Sequence, residues 1–282
     1  MPRNPMERDS FIERDARRRA IALLDPGSFR ELLDPFEQLA SPWLPRQGIV
    51  AQADDGAVVA RGTLDGQPAV VLAIEGAFQG GSMGEVSGAK IAGALELAVQ
   101  DNRAGIPTRA VIVFETGGVR LQEANLGLAA IAEIHAAIHA LREYGPVIGI
   151  TAGVVGCFGG MSIAAGLCSY LLMTREARLG LNGPQVIEQE AGIEEYDSSD
   201  RPFIWSLSGG EQRAATGLAD RCIEDDSVAI REQVLAWLRS EVAPQPRSEQ
   251  VKHYLERLAS ADATRQATAA SARALYAAGN PA

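Results

Sequence analysis

The 282-residue sequence has few cysteines and no long apolar segment. Its three cysteines, Cys157, Cys168 and Cys222, are odd in number and widely spaced, which fits neither a disulfide framework nor a CxxC zinc site. No run approaches the roughly twenty apolar residues that span a bilayer, and the N-terminal residues are charged where a signal peptide is apolar. From these absences we expect a cytoplasmic protein with no membrane association.

Basic residues are also scarce. Asp and Glu number 36 against 26 Lys and Arg, which gives a formal net charge of −10. This field repels a phosphate backbone, so we expect no nucleic-acid partner. Leu207–Arg213 imitates the signature of ATP-binding cassette proteins, but the P-loop that accompanies that signature requires a Gly-Lys dipeptide, which the sequence lacks. We interpret the segment as a turn followed by a helix.

Glycine pairs that follow apolar strands are the main feature that the sequence does contain. An apolar run from Val111 to Phe114 leads to Gly117-Gly118, and another from Val147 to Thr151 leads to Gly159-Gly160. Paired glycines accept a positive φ and a close neighbour, and a helix that begins there leaves its first N–H groups without partners. Two such turns side by side predict an oxyanion hole, although close packing alone is the competing interpretation.

A third glycine-rich loop, Gly80–Gly84, follows the strand Pro68–Ile74. The glycine pairs recur at roughly forty residues, which predicts repeated units of strand, turn and helix. Parallel strands require helical crossovers of this kind, so the fold class is α/β. We divide the chain into N-terminal helices and a connector (1–47), an α/β core (48–225) and a helical C-terminal extension (226–282).

Periodicity predicts the individual elements. The predicted strands are Ile49–Ala51, Ala57–Leu64, Pro68–Ile74, Val111–Phe114, Val147–Thr151, Tyr170–Thr174 and Leu179–Leu181. The predicted helices are Ser10–Leu24, Ser28–Leu33, Glu85–Asn102, Arg120–Tyr144, Met161–Gly166, Gln185–Glu190, Glu211–Leu218, Ser227–Val242 and Glu249 to the C-terminus.

Other candidate sites are less specific. The arginines between Arg14 and Arg19 are interpreted as a solvated helix face, with an anion site as the alternative. His135 and His139 share a helix face at a spacing that suits a metal, but no third ligand is evident, so we expect structural or interfacial histidines and no metal. Ser82 and Ser162 follow glycine turns without a GxSxG elbow, which argues against a serine hydrolase.

Four motifs in order resemble a known family. The chain is similar to the carboxyltransferase β half of acyl-CoA carboxylases, members of the crotonase superfamily, and it most resembles the β subunits of biotin-independent malonate decarboxylases, which lack a zinc ribbon. The motifs are Gln79-Gly-Gly-Ser-Met-Gly-Glu-Val-Ser-Gly-Ala-Lys-Ile, Thr116-Gly-Gly-Val-Arg-Leu-Gln-Glu-Ala, Phe158-Gly-Gly-Met-Ser and Gly183-Pro-Gln-Val-Ile-Glu-Gln.

The resemblance implies a crotonase-like ββα superhelix that represents a single carboxyltransferase-type half, with the helical extension behind it. It implies a γ subunit that supplies the second half and an α subunit that performs acyl transfer. It also implies an acyl carrier protein whose phosphoribosyl-dephospho-CoA arm presents the malonyl thioester, so this chain itself binds no cofactor.

The resemblance further implies a set of site residues. N–H groups at Gly118 or Val119 and at Gly160 form the oxyanion hole for a thioester enolate, and Gly117 and Gly159 shape the turns. Substrate-binding positions are Gly80, Gly81, Ser82, Met83, Gly84 and Arg120. The sequence departs from the carboxyltransferase pattern at Glu115 and Val119, where small residues are usual, and this disfavours carboxybiotin chemistry. A biotin-dependent carboxyltransferase subunit and a noncatalytic scaffold remain the alternatives.

Overall fold

The computed structural model describes residues 8–240, 244–262, 264–265 and 268–277. In this part of the chain seven strands form one sheet in sequential order, antiparallel from β1 to β3 and parallel from β3 to β7. The strands are β1 (Arg30–Leu32), β2 (Ala57–Leu64), β3 (Gln67–Ile74), β4 (Arg109–Phe114), β5 (Val147–Thr151), β6 (Tyr170–Thr174) and β7 (Arg221–Ile223).

Helices follow the parallel strands and extend the C-terminal part. They are α1 (Ala16–Leu23), α2 (Glu85–Arg103), α3 (Asn125–Leu141), α4 (Gly159–Leu167), α5 (Pro184–Ala191), α6 (Arg201–Ser208), α7 (Gly210–Ala215), α8 (Ser227–Leu238), α9 (Val251–Ala259) and α10 (Ala269–Ala277). Short 3-10 helices occupy Pro35–Glu37, Pro45–Gln47, Gln79–Gly81, Leu121–Glu123 and Arg247–Glu249. No helix within the described ranges combines the length and the apolar character that crossing a bilayer requires.

Both faces of the sheet are covered. On β4, Ile112 and Phe114 point into an apolar cluster with α2, α3 and α4, whereas Val111 and Val113 point into a second cluster with α1 and α8. A strand that is buried on both faces carries apolar residues at every position, which explains the unbroken run that predicted β4. Because α1 and α8 share a cluster with the sheet, the segments before and after the predicted core pack on it directly; the predicted domain boundaries stay a prediction.

The predicted strands Ala57–Leu64 and Pro68–Ile74 correspond to β2 and β3, which form an antiparallel hairpin. Asp65 and Gly66 have φ of 54° and 73°, the positive pair that a two-residue type I′ turn requires. The resulting register places Leu64 opposite Gln67 and Ala57 opposite Ile74. This hairpin joins the N-terminal antiparallel strands to the parallel part of the sheet.

Two N-terminal predictions are wrong. The segment Ser28–Leu33 contains strand β1 in place of a helix, because Arg30 to Leu32 pair with β2 and Leu33 takes a φ of 53°. Ile49–Ala51 forms no strand, and the Val50 side chain is 87% exposed. The helix predicted from Ser10 begins only at Ala16, because the Asp15 side chain accepts the Arg18 N–H and caps it.

Further differences concern helix ends and missed elements. The helix predicted from Arg120 begins at Asn125, because Ala124 has a φ of 46°. Leu179–Leu181 forms a single bridge from Leu179 to Cys157, and β7 and α6 were absent from the predicted elements. The C-terminal helix is two helices, α9 and α10. The ends of the predictions for Ser227–Val242 and for the last helix lie outside the described residues, as do residues 1–7.

Candidate active site between two glycine turns

The glycine turns that follow β4 and β5 lie face to face. The two strands are parallel neighbours with Phe114 opposite Thr151, so their carboxyl ends open at the same edge of the sheet. A Cβ atom added to Gly118 would lie 3.1 Å from the Cα of Gly159, and one added to Gly159 would lie 3.1 Å from the Cα of Gly118. Their φ values are 106° and 59°, a region that side chains rarely adopt. Only glycine permits this backbone contact.

Hydrogen bonds in the first turn decide which of its amides is free. The Gly117 N–H donates to the Gly80 carbonyl at 2.9 Å, and the Gly118 N–H donates to the Thr116 hydroxyl at 3.0 Å. Among the described residues, the Val119 N–H has no acceptor. The sequence leaves Gly118 and Val119 as alternative donors, and the geometry favours Val119.

The second turn opens helix α4. The Gly159 N–H donates to the Leu181 carbonyl at 2.7 Å, and the Ser162 N–H donates to the Phe158 carbonyl at 3.3 Å. Between them, the Gly160 N–H meets no acceptor within the part of the chain that is described. It is one of the orphan donors at a helix N-terminus, where the helix dipole favours negative charge. Each turn therefore carries an amide that meets no acceptor among the described residues, Val119 in the first and Gly160 in the second.

The loop Gly80–Gly84 forms the third side of this arrangement. The Met83 N–H donates to the Gly118 carbonyl and the Arg120 N–H donates to the Met83 carbonyl, both at 2.8 Å. This bridge aligns the loop with Val119. The structure thus brings the predicted loop against the predicted turn, with Gly80 exposed and Ser82 half-buried.

Arg120 lies inside the protein. Its side chain is 0% exposed, and one guanidinium nitrogen lies 2.7 Å and 2.9 Å from the two Asp55 carboxylate oxygens and 2.9 Å from Glu123. A second nitrogen donates to the Ser82 carbonyl at 3.0 Å. This placement does not support direct substrate contact; Arg120 holds the Gly80–Gly84 loop in position.

Glu123 completes that buried cluster. It accepts the Glu85 N–H at 2.7 Å, at the start of α2. Burial opposes ionisation of Glu123, but hydrogen bonds from the Glu85 amide, the Ser41 hydroxyl and Arg120 outweigh it and hold the pKa of this carboxyl below its usual value. Folding therefore favours the ionised form of the Glu123 carboxyl.

We expect Glu123→Gln to flatten the acid end of the stability profile. Because the folded pKa lies below the ordinary value of 4.5, the stability from Glu123 is complete above pH 4.5 and is lost as the pH falls through the lowered value. Urea unfolding between pH 7 and pH 3 measures this. The wild-type free energy of unfolding should fall more steeply below pH 4.5 than that of the variant. Parallel profiles would contradict the assignment.

A buried ion pair lies next to the start of the first turn, and no sequence pattern predicts it. Arg19 pairs with Glu115, with side chains 5% and 8% exposed, and Arg19 also donates to the Phe11 and Ile12 carbonyls. The solvated interpretation of the basic run is therefore wrong for Arg19. A Cβ at Gly153 would lie 1.8 Å from the Glu115 carboxylate, so the chain leaves space for this acid.

The contact between His135 and the second turn is another feature that sequence patterns do not predict. Its Nε2 lies 2.8 Å from the Gly160 carbonyl, which ties α3 to the second turn and agrees with the structural role predicted for it. Across the described residues, no group of three His, Cys, Asp or Glu side chains is arranged to hold a metal.

Exposed apolar side chains surround the two turns. Large side chains close to them in sequence or by hydrogen bonding are 49% to 79% exposed: Leu121, Val154, Ile163 and Leu181. Apolar groups that cluster at a surface typically mark a binding face. These side chains make the surface near the two turns a candidate binding face.

The comparisons with known proteins agree with this architecture. Residues 13–271 match the carboxyl transferase domain family. A malonyl-S-ACP:biotin-protein carboxyltransferase of Malonomonas rubra is 40% identical over 240 residues, which cover 82% of this chain and 76% of that protein. A chain of a Pseudomonas malonate decarboxylase hetero-tetramer, crystallised with malonate, is 69% identical with a TM-score of 0.94, over 96% of this chain and 98% of that one.

A more distant structure shows how this fold relates to that of a longer carboxyltransferase chain. The transcarboxylase 12S structure with methylmalonyl-coenzyme A and methylmalonic acid is 28% identical, with a TM-score of 0.66 over 79% of this chain but only 40% of that one. This chain thus corresponds to one part of a larger carboxyltransferase polypeptide, which confirms the predicted crotonase-like fold of a single half. On its sequence, its fold and its glycine turns, the chain belongs to the carboxyl transferase family.

Proposed function

We propose that this chain is the β subunit of a malonate decarboxylase, a biotin-independent carboxy-lyase that converts a malonyl thioester on an acyl carrier protein to the acetyl thioester. The observation that carries the proposal is the pair of free amides, Val119 and Gly160, on two turns in backbone contact. The 69% identical malonate decarboxylase chain supports the choice of substrate class.

The chemistry requires stabilisation of an oxyanion. Decarboxylation breaks the bond between the malonyl α-carbon and its carboxylate carbon, and CO2 leaves. The electron pair delocalises from the α-carbon onto the thioester oxygen, which gives an enolate. The Val119 and Gly160 N–H groups donate to this oxygen as its charge develops. A proton then adds to the α-carbon and yields the acetyl thioester.

The same proposal assigns partners. A γ subunit covers the exposed apolar face beside the turns and supplies the second wall of the site. An acyl carrier protein brings the thioester on its phosphoribosyl-dephospho-CoA arm, and an α subunit loads it. Two heteromeric relatives support the presence of partner subunits: the malonate decarboxylase hetero-tetramer and a Pseudomonas MdcD–MdcE hetero-dimer, of which one chain is 62% identical over 92% of this chain with a TM-score of 0.77.

A biotin-dependent carboxyltransferase subunit is the second candidate. The Malonomonas rubra relative favours this candidate, because it is named as a carboxyltransferase that acts between malonyl-S-ACP and a biotin protein. Both reactions pass through the same enolate, so the oxyanion hole does not discriminate between them. They differ in the fate of the carboxyl group, which leaves as CO2 or moves to biotin.

Turnover by the purified β–γ pair tests the proposal. We expect malonyl thioester to give acetyl thioester and CO2 at the same rate with and without added biotin carrier. A rate that depends on biotin carrier would favour the second candidate. An assembled pair that produces no acetyl thioester under either condition would favour a noncatalytic scaffold.

A further inference from the structure

Each free donor belongs to a peptide group whose carbonyl is also bonded. The Val119 N–H shares its peptide with the Gly118 carbonyl, which accepts the Met83 N–H at 2.8 Å. The Gly160 N–H shares its peptide with the Gly159 carbonyl, which accepts the Ser162 hydroxyl at 2.7 Å. A backbone group therefore holds the first peptide. In the second, Gly159 begins α4 and its carbonyl faces the helical N–H ladder, and the Ser162 hydroxyl adds a side-chain bond to the same oxygen.

A hydrogen bond to a carbonyl changes the N–H group of the same amide. Chains of hydrogen bonds polarise one another, so an amide whose oxygen accepts a bond becomes a stronger donor at nitrogen. The effect matters at Gly159, because glycine with a φ of 59° has little intrinsic restraint on the plane of the next peptide. The Ser162 hydroxyl adds to both the polarisation and the restraint of this peptide.

The neighbouring carbonyl is held in the same way. Nε2 of His135 lies within hydrogen-bond distance of the Gly160 oxygen, and the half-buried Ser162 lies one helical turn after the start of α4. Two successive carbonyls of the second turn thus contact side chains. Of these, only the Gly159 carbonyl belongs to the peptide that carries the free Gly160 N–H.

We propose that Ser162 is a positioning residue of this site: its hydroxyl orients and polarises the Gly159–Gly160 peptide so that the Gly160 N–H donates to the enolate oxygen. The inference rests on the proposed function and extends it to Ser162, the last residue of the Phe158-Gly-Gly-Met-Ser motif, to which the family resemblance gives no role. Ser162 acts through the backbone and does not touch the reacting atoms.

The chain offers a matched control. On α6, the Ser206 hydroxyl donates to the Phe203 carbonyl at 2.7 Å, the same three-residue spacing at the same distance and with similar partial burial. Among the described residues, no hydrogen bond joins the Ser206 hydroxyl to either glycine turn. Replacing either serine by alanine removes one local hydrogen bond from one helix, so differences between the two variants report on the turn.

We expect Ser162→Ala in the β–γ complex to lower kcat by about tenfold with KM within about twofold, the pattern of an interaction that strengthens in the transition state. Ser162→Thr, which keeps the hydroxyl, should restore most of kcat, and Ser206→Ala should leave it unchanged. An Ala variant with full kcat, or a Thr variant as slow as Ala, overturns the inference while the proposed function stands.

A spectroscopic measurement makes the inference independent of turnover. In ¹⁵N-labelled chain, Ser162→Ala should shift the Gly160 amide nitrogen resonance and leave that of Val119 in place, because only the Gly159–Gly160 peptide loses a side-chain hydrogen bond at its carbonyl. An unchanged Gly160 resonance overturns the inference even if the wild-type complex shows no activity. If the wild-type complex shows no turnover but the Gly160 resonance shifts as expected, the result counts against the proposed function alone.

Discussion

Replacing Gly118 by valine is expected to lower malonyl thioester turnover by about a thousandfold while the β–γ pair still assembles. A side chain at this position meets the Gly159 Cα and the Phe158 carbonyl, each at 3.1 Å, and a φ of 106° is unfavourable for a β-branched residue. The two turns must separate to admit it. Because Val119 and Gly160 lie on opposite turns, the separation removes both donors from one oxygen.

Initial rates of acetyl thioester formation measure the effect, and size-exclusion chromatography confirms assembly. Gly166→Val on α4 is the matched control, because a Cβ there meets nothing within 4 Å beyond its neighbours and the backbone of its own helix, and its φ is not positive. We expect the control to keep most of its activity. Comparable turnover by both variants would mean that the turn contact serves packing and that the carbonyl is activated elsewhere.

Replacing Arg19 by methionine is expected to destabilise the chain by about 3–5 kcal/mol. The change leaves the Glu115 carboxylate buried without its ionic partner, beside the start of the first glycine turn. Most of that cost comes from the uncompensated charge. Urea unfolding of the wild-type and variant chains at neutral pH measures the difference.

A double variant separates the charge from the packing. Adding Glu115→Gln to Arg19→Met removes the stranded charge, so we expect part of the stability to return. Arg18→Met is the control, because Arg18 is 72% exposed and its ion pair with Asp15 is a surface contact worth little. Equal losses for the Arg18 and Arg19 variants would show that the buried pair is not a special feature of this fold.

The central strands were predictable because their burial leaves a local trace. The apolar run of β6 matches its prediction at both ends, and the Asp65-Gly66 turn carries its conformation in its residue types. The N-terminal edge was not predictable. Strand β1 is three residues long and exists because it pairs with β2, so its own sequence gives little indication of extended structure.

The candidate site was likewise predictable only in part from the sequence. The glycine pairs and the loop Gly80–Gly84 can be recognised in the sequence, because each contains a positive φ that favours glycine. The choice of Val119 over Gly118 depends on the Thr116 hydroxyl, which occupies the Gly118 amide. The Arg19–Glu115 pair joins residues far apart in the chain, and no local pattern connects them.

A crystal structure of the β–γ complex with a thioester analogue that mimics the enolate shows directly whether Val119 and Gly160 form the oxyanion hole. We expect the analogue's oxyanion to lie about 3 Å from both the Val119 and Gly160 nitrogens, at the distance of oxyanion-hole donors. An oxygen bound by other groups, with both amides unoccupied, would contradict it.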